Sequence, residues 1–246
     1  MKRVLVKIEY KGTNYHGWQK QDNAVFVQEI VESALSKLLG EIVCLSASGR
    51  TDAGVHATGQ YAHFDTCSNF DFSKLPLAIN HSLPQDIMIK SAKVVEGDFH
   101  ARFSAKKKIY KYYVLNSKVR RPIFDDFCIQ VPQEICLKTM KKASKHLIGT
   151  HNFTSFCAKR EYDDRFDNVR TIYSIKIKKI GDFIEFSFCG NGFLYNMVRI
   201  IVGTLIEVGK GKINPYELKN IILAKDRTKA GFTAEAKGLF LFDVIY

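Results

Sequence analysis

A single aspartate stands in an unusual setting in SGRTDAGVHATGQYAHF, residues 48–64. Arg50 lies two residues before Asp52 and Gly54 two after, and His56 and Gly59 follow before an apolar-alternating run resumes. The loop has no second acid and no phosphate-cradling glycine pattern. Read locally, an Asp before Ala-Gly is most often a turn residue that bonds its neighbours' amides. The sharper alternative is a lone carboxylate presented to a reacting group, with small residues around it to admit a substrate.

Two other stretches carry chemistry. Arg199 sits within FLYNMVRIIVGTLIEV, apolar on nearly every side, and a helix of that kind is buried. A buried guanidinium calls for a carboxylate, because leaving one charge of such a pair unpaired costs about 3–5 kcal/mol. Asp52 is one candidate partner; Glu207, Glu185 or a route to solvent are the others. In FHARFSAKKKIYKYYVLN, Lys106, Lys107, Lys108 and Lys111 surround Tyr110 and Tyr112, which share one face of a strand. Lysines hold phosphates, and a ring stacks on an unpaired base for about 1–3 kcal/mol. The plainer alternative is an edge strand whose lysines prevent aggregation and whose tyrosines join the core.

Charge weighs on that choice. Lysine and arginine outnumber acids 37 to 25, a net charge of +12, which favours a polyanionic partner such as nucleic acid. The six cysteines, at 44, 67, 128, 136, 157 and 189, form no CxxC pair and match no histidine spacing. That argues against a zinc site and a disulfide scaffold, so no metal is expected and a reducing cytoplasm is the expected setting. The start, MKRVLVKIEYKG, reads as a strand rather than a signal peptide. Arg199 interrupts the longest apolar run, so no membrane span is expected. P-loop, GxSxG, HExxH and dinucleotide GxGxxG motifs are absent from the sequence.

The elements that must position these residues follow from periodicity. Val4, Val6, Ile8 and Tyr10 alternate with Lys7 and Glu9 as a half-buried strand. After the aromatic, glycine-bearing YKGTNYHGWQKQ, Val27, Val31, Ala34 and Leu38 fall at helical spacing, with Gly40 as the stop. Strands are expected near 42–48 and 60–65. A related order returns later: the strand KIYKYYVLN, an amphipathic helix from Leu137 to Leu147, then the strands RTIYSIKIKK and DFIEFSFCG. In that helix Leu137, Met140, Ser144 and Leu147 face inward, and Lys138, Lys141, Lys142 and Lys145 outward. The long apolar helix begins near Phe193, and Asn214, Pro215 and Glu217 form a capping-box start for a last helix. GLFLFDVIY closes the chain as a strand. The expectation is two α+β subdomains, residues 1–105 and 106–246, with antiparallel sheets side by side. NSKVRRPIFDD is the expected connecting segment.

YKGTNYHGWQKQ, GRTDAGVHATGQ, DFHARFSA, NGFLYNMVRIIVG and GLFLFDV occur in the order and spacing of the bacterial tRNA pseudouridine synthase A family, which the whole chain resembles. GRTDAGVHA is highly specific to it. The resemblance implies isomerisation of uridine to pseudouridine at positions 38–40 of the tRNA anticodon stem-loop, by a homodimer without cofactor or metal. It implies two pseudo-symmetric subdomains whose sheets join into one extended mixed sheet flanked by helices, with a basic cleft between them. Carried over residue by residue, the nucleophile falls on Asp52 and an RNA-contacting arginine on Arg50. The tyrosine that stacks on the target base falls on Tyr110, the arginine that pairs with the nucleophile on Arg199, and an apolar pocket wall on Leu239. Where many relatives have a basic residue just before the stacking tyrosine, this chain has Ile109, preceded by Lys108.

On this reading the uridine is flipped out of its helix at a cost of a few kcal/mol, and Arg50 fills the vacated space or holds the displaced strand. Asp52 either attacks C1′ or takes a ribose proton, and Tyr110 either stacks or also accepts the C5 proton. Ala53, Gly54 and Gly59 are expected to let the backbone approach the nucleotide closely. One carboxylate suffices because nothing is hydrolysed. Two rivals remain: a non-catalytic RNA-binding module, and a glycoside or nucleoside hydrolase, which needs two carboxylates. For the latter, the next acid downstream, Asp65, lies in an alternating strand.

Overall fold

The computed structural model describes residues 1–21, 24–158 and 167–246. The chain divides into two compact units, Met1–Lys106 together with Phe240–Tyr246, and Lys107–Leu239. The terminal segment expected in the second half therefore belongs to the first. NSKVRRPIFDD, expected between the halves, lies inside the second unit, with a short 3-10 turn at Pro122–Phe124.

In the first unit β1 (Lys2–Tyr10) lies between β3 (His56–Thr66) and β4 (Ile87–Val95), antiparallel to both, and the short β2 (Ser46–Ala47) pairs with β3. The strand expected over 42–48 is only these two residues. The closing strand, Leu239–Ile245, runs parallel to β3, with Phe240 opposite His56 and Leu241 opposite Ala57. Helices α1 (Val27–Leu39) and α2 (Leu75–Ile79) complete the unit. Val4, Val6, Ile8 and Tyr10 are buried as the alternation requires. On the other face Leu5 is buried as well, and Lys7 and Glu9 are tied to Asp243 and Lys90 at 2.9 and 2.6 Å. The inner stripe of α1 is Val27, Val31 and Leu35; Ala34 and Leu38, expected there, are only partly covered. Gly40 ends α1 in the left-handed region at φ 71°, where a glycine carries no Cβ penalty.

In the second unit β5 (Lys107–Leu115) pairs with β9 (Phe183–Gly190), β9 with β8 (Val169–Ile180), and β8 with β7 (Gly149–Asn152), all antiparallel; β6 (Ile129–Gln130) runs parallel to β5. Three helices accompany this sheet: α3 (Leu137–Ser144), α4 (Met197–Gly209) and α5 (Glu217–Ala224). The first unit opens strand–helix–strand–strand, whereas in the second the short β6 precedes α3 and three strands follow it; strand adjacency differs too, since β1 is central among its partners whereas β9 separates β5 from β8. The closing strand is β10.

Two helix starts depart from expectation. α4 begins four residues later than Phe193, after Asn196 takes a left-handed φ of 58°. At α5, Asn214 Oδ1 accepts the Tyr216 amide at 3.0 Å, while Glu217 accepts from Asn220 at 3.1 Å rather than reaching back. Asn214 caps the turn, and the reciprocal half of the box does not form. Among the described residues no helix is long and apolar enough to cross a membrane.

Candidate active site

Asp52 sits in the loop between β2 and β3, and the backbone on both sides of it is fixed. Before it, Ser48 donates its amide to the Tyr61 carbonyl at 2.7 Å, and the Gln60 side chain bonds Ser48 Oγ at 2.6 Å and the Gly49 carbonyl at 2.8 Å. Beside it, Thr51 is buried, and its hydroxyl shares a 2.7 Å hydrogen bond with the phenol of Tyr10. The Thr51 carbonyl accepts the Trp18 amide at 3.1 Å. After it, the Val55 amide closes a turn on the Asp52 carbonyl at 3.1 Å, and the Gly54 amide donates to the Tyr15 carbonyl at 3.2 Å. Asp52 itself is half-buried and Arg50 exposed.

The partners of this loop come from YKGTNYHGWQKQ, 33 or more residues upstream. Trp18 is fully buried, with its ring centroid 6.0 Å from that of Tyr10. Tyr15 donates its hydroxyl to Asp86, and burial together with that carboxylate pushes its phenol well above the usual range. Two glycines make the fit possible. A side chain at Gly12 would fall on the Val55 carbonyl oxygen, and Gly17, at φ +104°, would bring one within 2.5 Å of the Thr51 carbonyl oxygen. The buried His56 fastens the other end of the loop, accepting the Gly12 amide on Nδ1 at 2.9 Å while its ring stacks on Phe240 at 4.7 Å. Acceptance on Nδ1 means the neutral ring carries its proton on Nε2.

Gly59 has a different reason from the one expected. A Cβ there would meet the Phe242 carbonyl oxygen at 2.5 Å, so it is small to seat β10. Gly54 fits the expectation of a special backbone, with φ 75°. Asp65 is held by Arg3 through two parallel hydrogen bonds of 2.7 Å, and that side-chain pairing keeps its pKa below the usual carboxylate value. It is a cross-strand ion-pair partner between β1 and β3.

Of the other expected site residues, Lys106 closes the first segment of the first unit, and the rest belong to the second unit. Tyr110 is half-buried on β5, edge-on to Phe193 at 5.1 Å. Tyr112, on the same face, is fully buried and donates to the Glu235 carbonyl at 2.7 Å; burial pushes its phenol far up. For Tyr112 the core reading holds. Lys106 and Lys107 are exposed, with Lys107 5.4 Å above the Tyr173 ring, and Lys108 is half-buried. Lys111 bonds Glu185 at 3.0 Å, sharing it with the Tyr113 hydroxyl at 3.0 Å; burial and then Glu185 push Tyr113 up to about 12. Lys111 thus has a structural carboxylate, unlike a lysine left open for phosphate.

Arg199 lies in a buried helix but is itself only half-buried. Its Nε donates to the Ala234 carbonyl at 2.7 Å and Nη1 to Asn196 Oδ1 at 2.7 Å, and the Ala234 amide returns a bond to the Arg199 carbonyl at 3.2 Å. The guanidinium is therefore aimed by neutral oxygens on two sides. The two acids weighed against Asp52 are taken by lysines, Glu207 by Lys210 and Lys212 at 3.6 and 3.0 Å, and Glu185 by Lys111. Leu239 is buried at the start of β10, after Gly238, where a Cβ would lie 2.6 Å from the Tyr112 ring. Tyr10, Trp18, His56, Asn196 and Ala234 were not singled out from sequence. The signal for the first two was present in the aromatic, glycine-bearing loop, which has no function of its own until its partner is known.

The chain is similar to known proteins along its full 246 residues. A family model described as tRNA pseudouridine synthase matches residues 7–104 and 143–246. Proteins named tRNA pseudouridine synthase A from Thermoanaerobacter sp. (strain X514) and Brevibacillus brevis (strain 47) are 49% and 46% identical to it over 246 residues, each covered in full, as is this chain. One from Caldicellulosiruptor saccharolyticus is 47% identical, with the same full coverage. A solved chain from a Cbf5-Nop10-Gar1 complex aligns with 83% of this one, covering 54% of its own length, at 13% identity and a TM-score of 0.36, a likeness too slight to add anything.

Proposed function

The chain belongs to the tRNA pseudouridine synthase family, whose members isomerise uridine in tRNA, and on that premise we propose that it acts at positions 38–40 of the anticodon stem-loop with Asp52 as its nucleophile. The observation that carries the assignment is the setting of Asp52. A lone carboxylate stands in GRTDAGVHA, and its immediate neighbours are fastened by Tyr10, Trp18, Tyr15 and, through Gly12, His56. A turn residue with no further duty does not need four outside residues, Tyr10, Gly12, Tyr15 and Trp18, to hold its loop. Fixing the backbone before substrate arrives is what a reacting group requires, since correct placement removes a large part of the barrier.

The reaction breaks the C1′–N1 bond of a flipped-out uridine, turns the uracil and rejoins it through C5, with the C5 proton leaving to solvent and N1 taking up a proton in exchange. No water is consumed and no group departs for good. Asp52, ionised, serves either by attacking C1′ and being displaced by C5, or by taking a ribose proton and returning it. In this reading Arg199 supplies the cation that keeps the carboxylate charged as water is excluded. Its orientation by Ala234 and Asn196 supports a fixed rather than a wandering charge. Tyr110 stacks on the base, Leu239 adds apolar wall, and Arg50, exposed two residues before Asp52, meets the RNA strand. Lys106, Lys107 and Lys108 contact phosphates, with Lys111 the weakest of the four because of Glu185. The enzyme is proposed to work as a homodimer in the cytoplasm, without metal or cofactor.

The hydrolase alternative loses ground because Asp65, the next acid downstream, is occupied by Arg3. Position-resolved mapping of an unmodified tRNA transcript after incubation with the protein tests the proposal. Pseudouridine confined to 38–40 is expected. Modification elsewhere contradicts the site assignment, and free uracil contradicts the reaction.

A further inference from the structure

The outward face of α3 has no part in the chemistry above. Lys138, Lys141, Lys142 and Lys145 are all exposed, and among the described residues none of the four forms an ion pair. Their spacings of three, four and seven place them on one side of the helix. Four like-charge pairs at i,i+3 or i,i+4 result, and such pairs weaken a helix rather than stabilise it. The helix is only eight residues long, with Lys145 in the 3-10 turn that follows it, so no length of helix dilutes the repulsion. Beside the stripe, Tyr216 is 60% exposed, with Lys142 Nζ 4.1 Å above its ring and the His146 ring 6.3 Å away.

The stripe is separate from Arg199 along α4. The Cys136 amide, just before α3, bonds the Gly209 carbonyl at 2.9 Å, and Thr139 Oγ1 reaches the Val208 carbonyl at 3.5 Å, so α3 docks at the C-terminal end of α4. Arg199 is ten residues earlier on the same helix, roughly 15 Å along its axis. A self-repelling cation stripe with no ion pair among the described residues, beside an exposed aromatic ring, is complementary to a phosphate backbone.

We propose that Lys138, Lys141, Lys142 and Lys145, with Tyr216 at their flank, form a second tRNA contact that holds phosphates outside the anticodon stem-loop. The contact rests on the tRNA reading above and adds to it a place on the enzyme for the rest of the substrate. It selects full tRNA over a stem-loop fragment, and the repulsion within α3 is relieved when phosphates bind.

The test compares wild type, the fourfold Lys→Gln variant, the fourfold Lys→Arg variant and Tyr216→Ala, each with full-length tRNA and with an isolated anticodon stem-loop. For Lys→Gln, full-tRNA affinity should fall about tenfold or more, and the salt slope should shrink by roughly 0.7–0.9 for each lost phosphate contact. Its affinity and turnover on the stem-loop should not change, and its Tm should hold or rise as repulsion is removed. Lys→Arg should retain full-tRNA affinity, and Tyr216→Ala should weaken it less than Lys→Gln does. Unchanged full-tRNA affinity and slope in Lys→Gln overturn the proposal, as does an equal loss on both RNAs. Failure of the underlying reading would show separately, as wild-type protein inactive on either RNA.

Discussion

Thr51, the residue before Asp52, is tied to the core through one buried hydroxyl pair, Thr51 Oγ1 with Tyr10. Losing that bond should cost about 1 kcal/mol of stability. Thr51→Val and Tyr10→Phe are each expected to lower kcat while leaving the Kd for tRNA in place, and Thr51→Ser to restore kcat; steady-state kinetics beside binding titrations check this. Arg199 makes a sharper case, because its fork serves both Ala234 and Asn196. Arg199→Ala should abolish activity and destabilise by roughly 1–3 kcal/mol. Arg199→Lys should not rescue it, since an ammonium lacks the planar fork; thermal melts and turnover assays read both. As a lone acid, a charge in an apolar helix and a ring among lysines, Asp52, Arg199 and Tyr110 were visible in sequence, although the local reading of Asp52 favoured a turn residue and only the family resemblance gave the three their proposed roles. The groups that hold them were not visible. Tyr10 and Thr51 are 41 residues apart and Arg199 and Ala234 35 apart, and nothing local in either partner marks the pairing.

At the scale of elements, the loop 12–18 and the loop 48–56 fold against each other with glycine where backbones meet. Gly12→Ala must push against the Val55 carbonyl, whereas Gly40→Ala meets open space and only a strained φ of +71°. Gly12→Ala should therefore cost roughly 1–3 kcal/mol by overpacking and also lower kcat by moving the loop. Gly40→Ala should cost about 1–2 kcal/mol and leave kcat alone. Denaturant titrations with paired kinetics separate the two. Periodicity found the strands and helices well, because burial acts on every second or every third to fourth residue. It missed the inner stripe of α1 by one position, taking Ala34 and Leu38 where Leu35 is buried. It also stretched β2, whose pairing stops after two residues, and placed β10 in the wrong unit. A parallel pairing of β10 with β3, across some 180 residues of chain, leaves no trace in local pattern.

The whole molecule carries +12 of net charge, and its partner is a polyanion. Stability should also respond to pH through His63, a ring buried on β3 that accepts the Ala101 amide at 3.1 Å. Burial first, then the nearby His100 and Arg3, lower its pKa below the ordinary 6.5. The unfolded chain thus binds this proton more readily than the folded one. Its contribution to stability is full above about pH 6.5 and is lost as pH falls through that value toward the folded pKa. Tm measured from pH 7.5 to 5 should drop more steeply for wild type than for His63→Gln, whose amide can keep the hydrogen bonds without titrating. Net charge was fully legible in sequence, and it pointed to nucleic acid before any motif was weighed. Where the charge is neutralised was not legible: Lys111 and Lys212 proved to be paired, and among the described residues the α3 lysines did not.

The central claim is that Asp52 does the chemistry and does not merely shape the loop. Tritium release to water from tRNA labelled at uridine C5 tests it most directly, with wild type and Asp52→Ala run side by side and tRNA binding measured on both. Wild type should release tritium, while the variant should release none above background and still bind tRNA nearly as well. Release by Asp52→Ala at the wild-type rate would contradict the account, and so would loss of binding in step with loss of release.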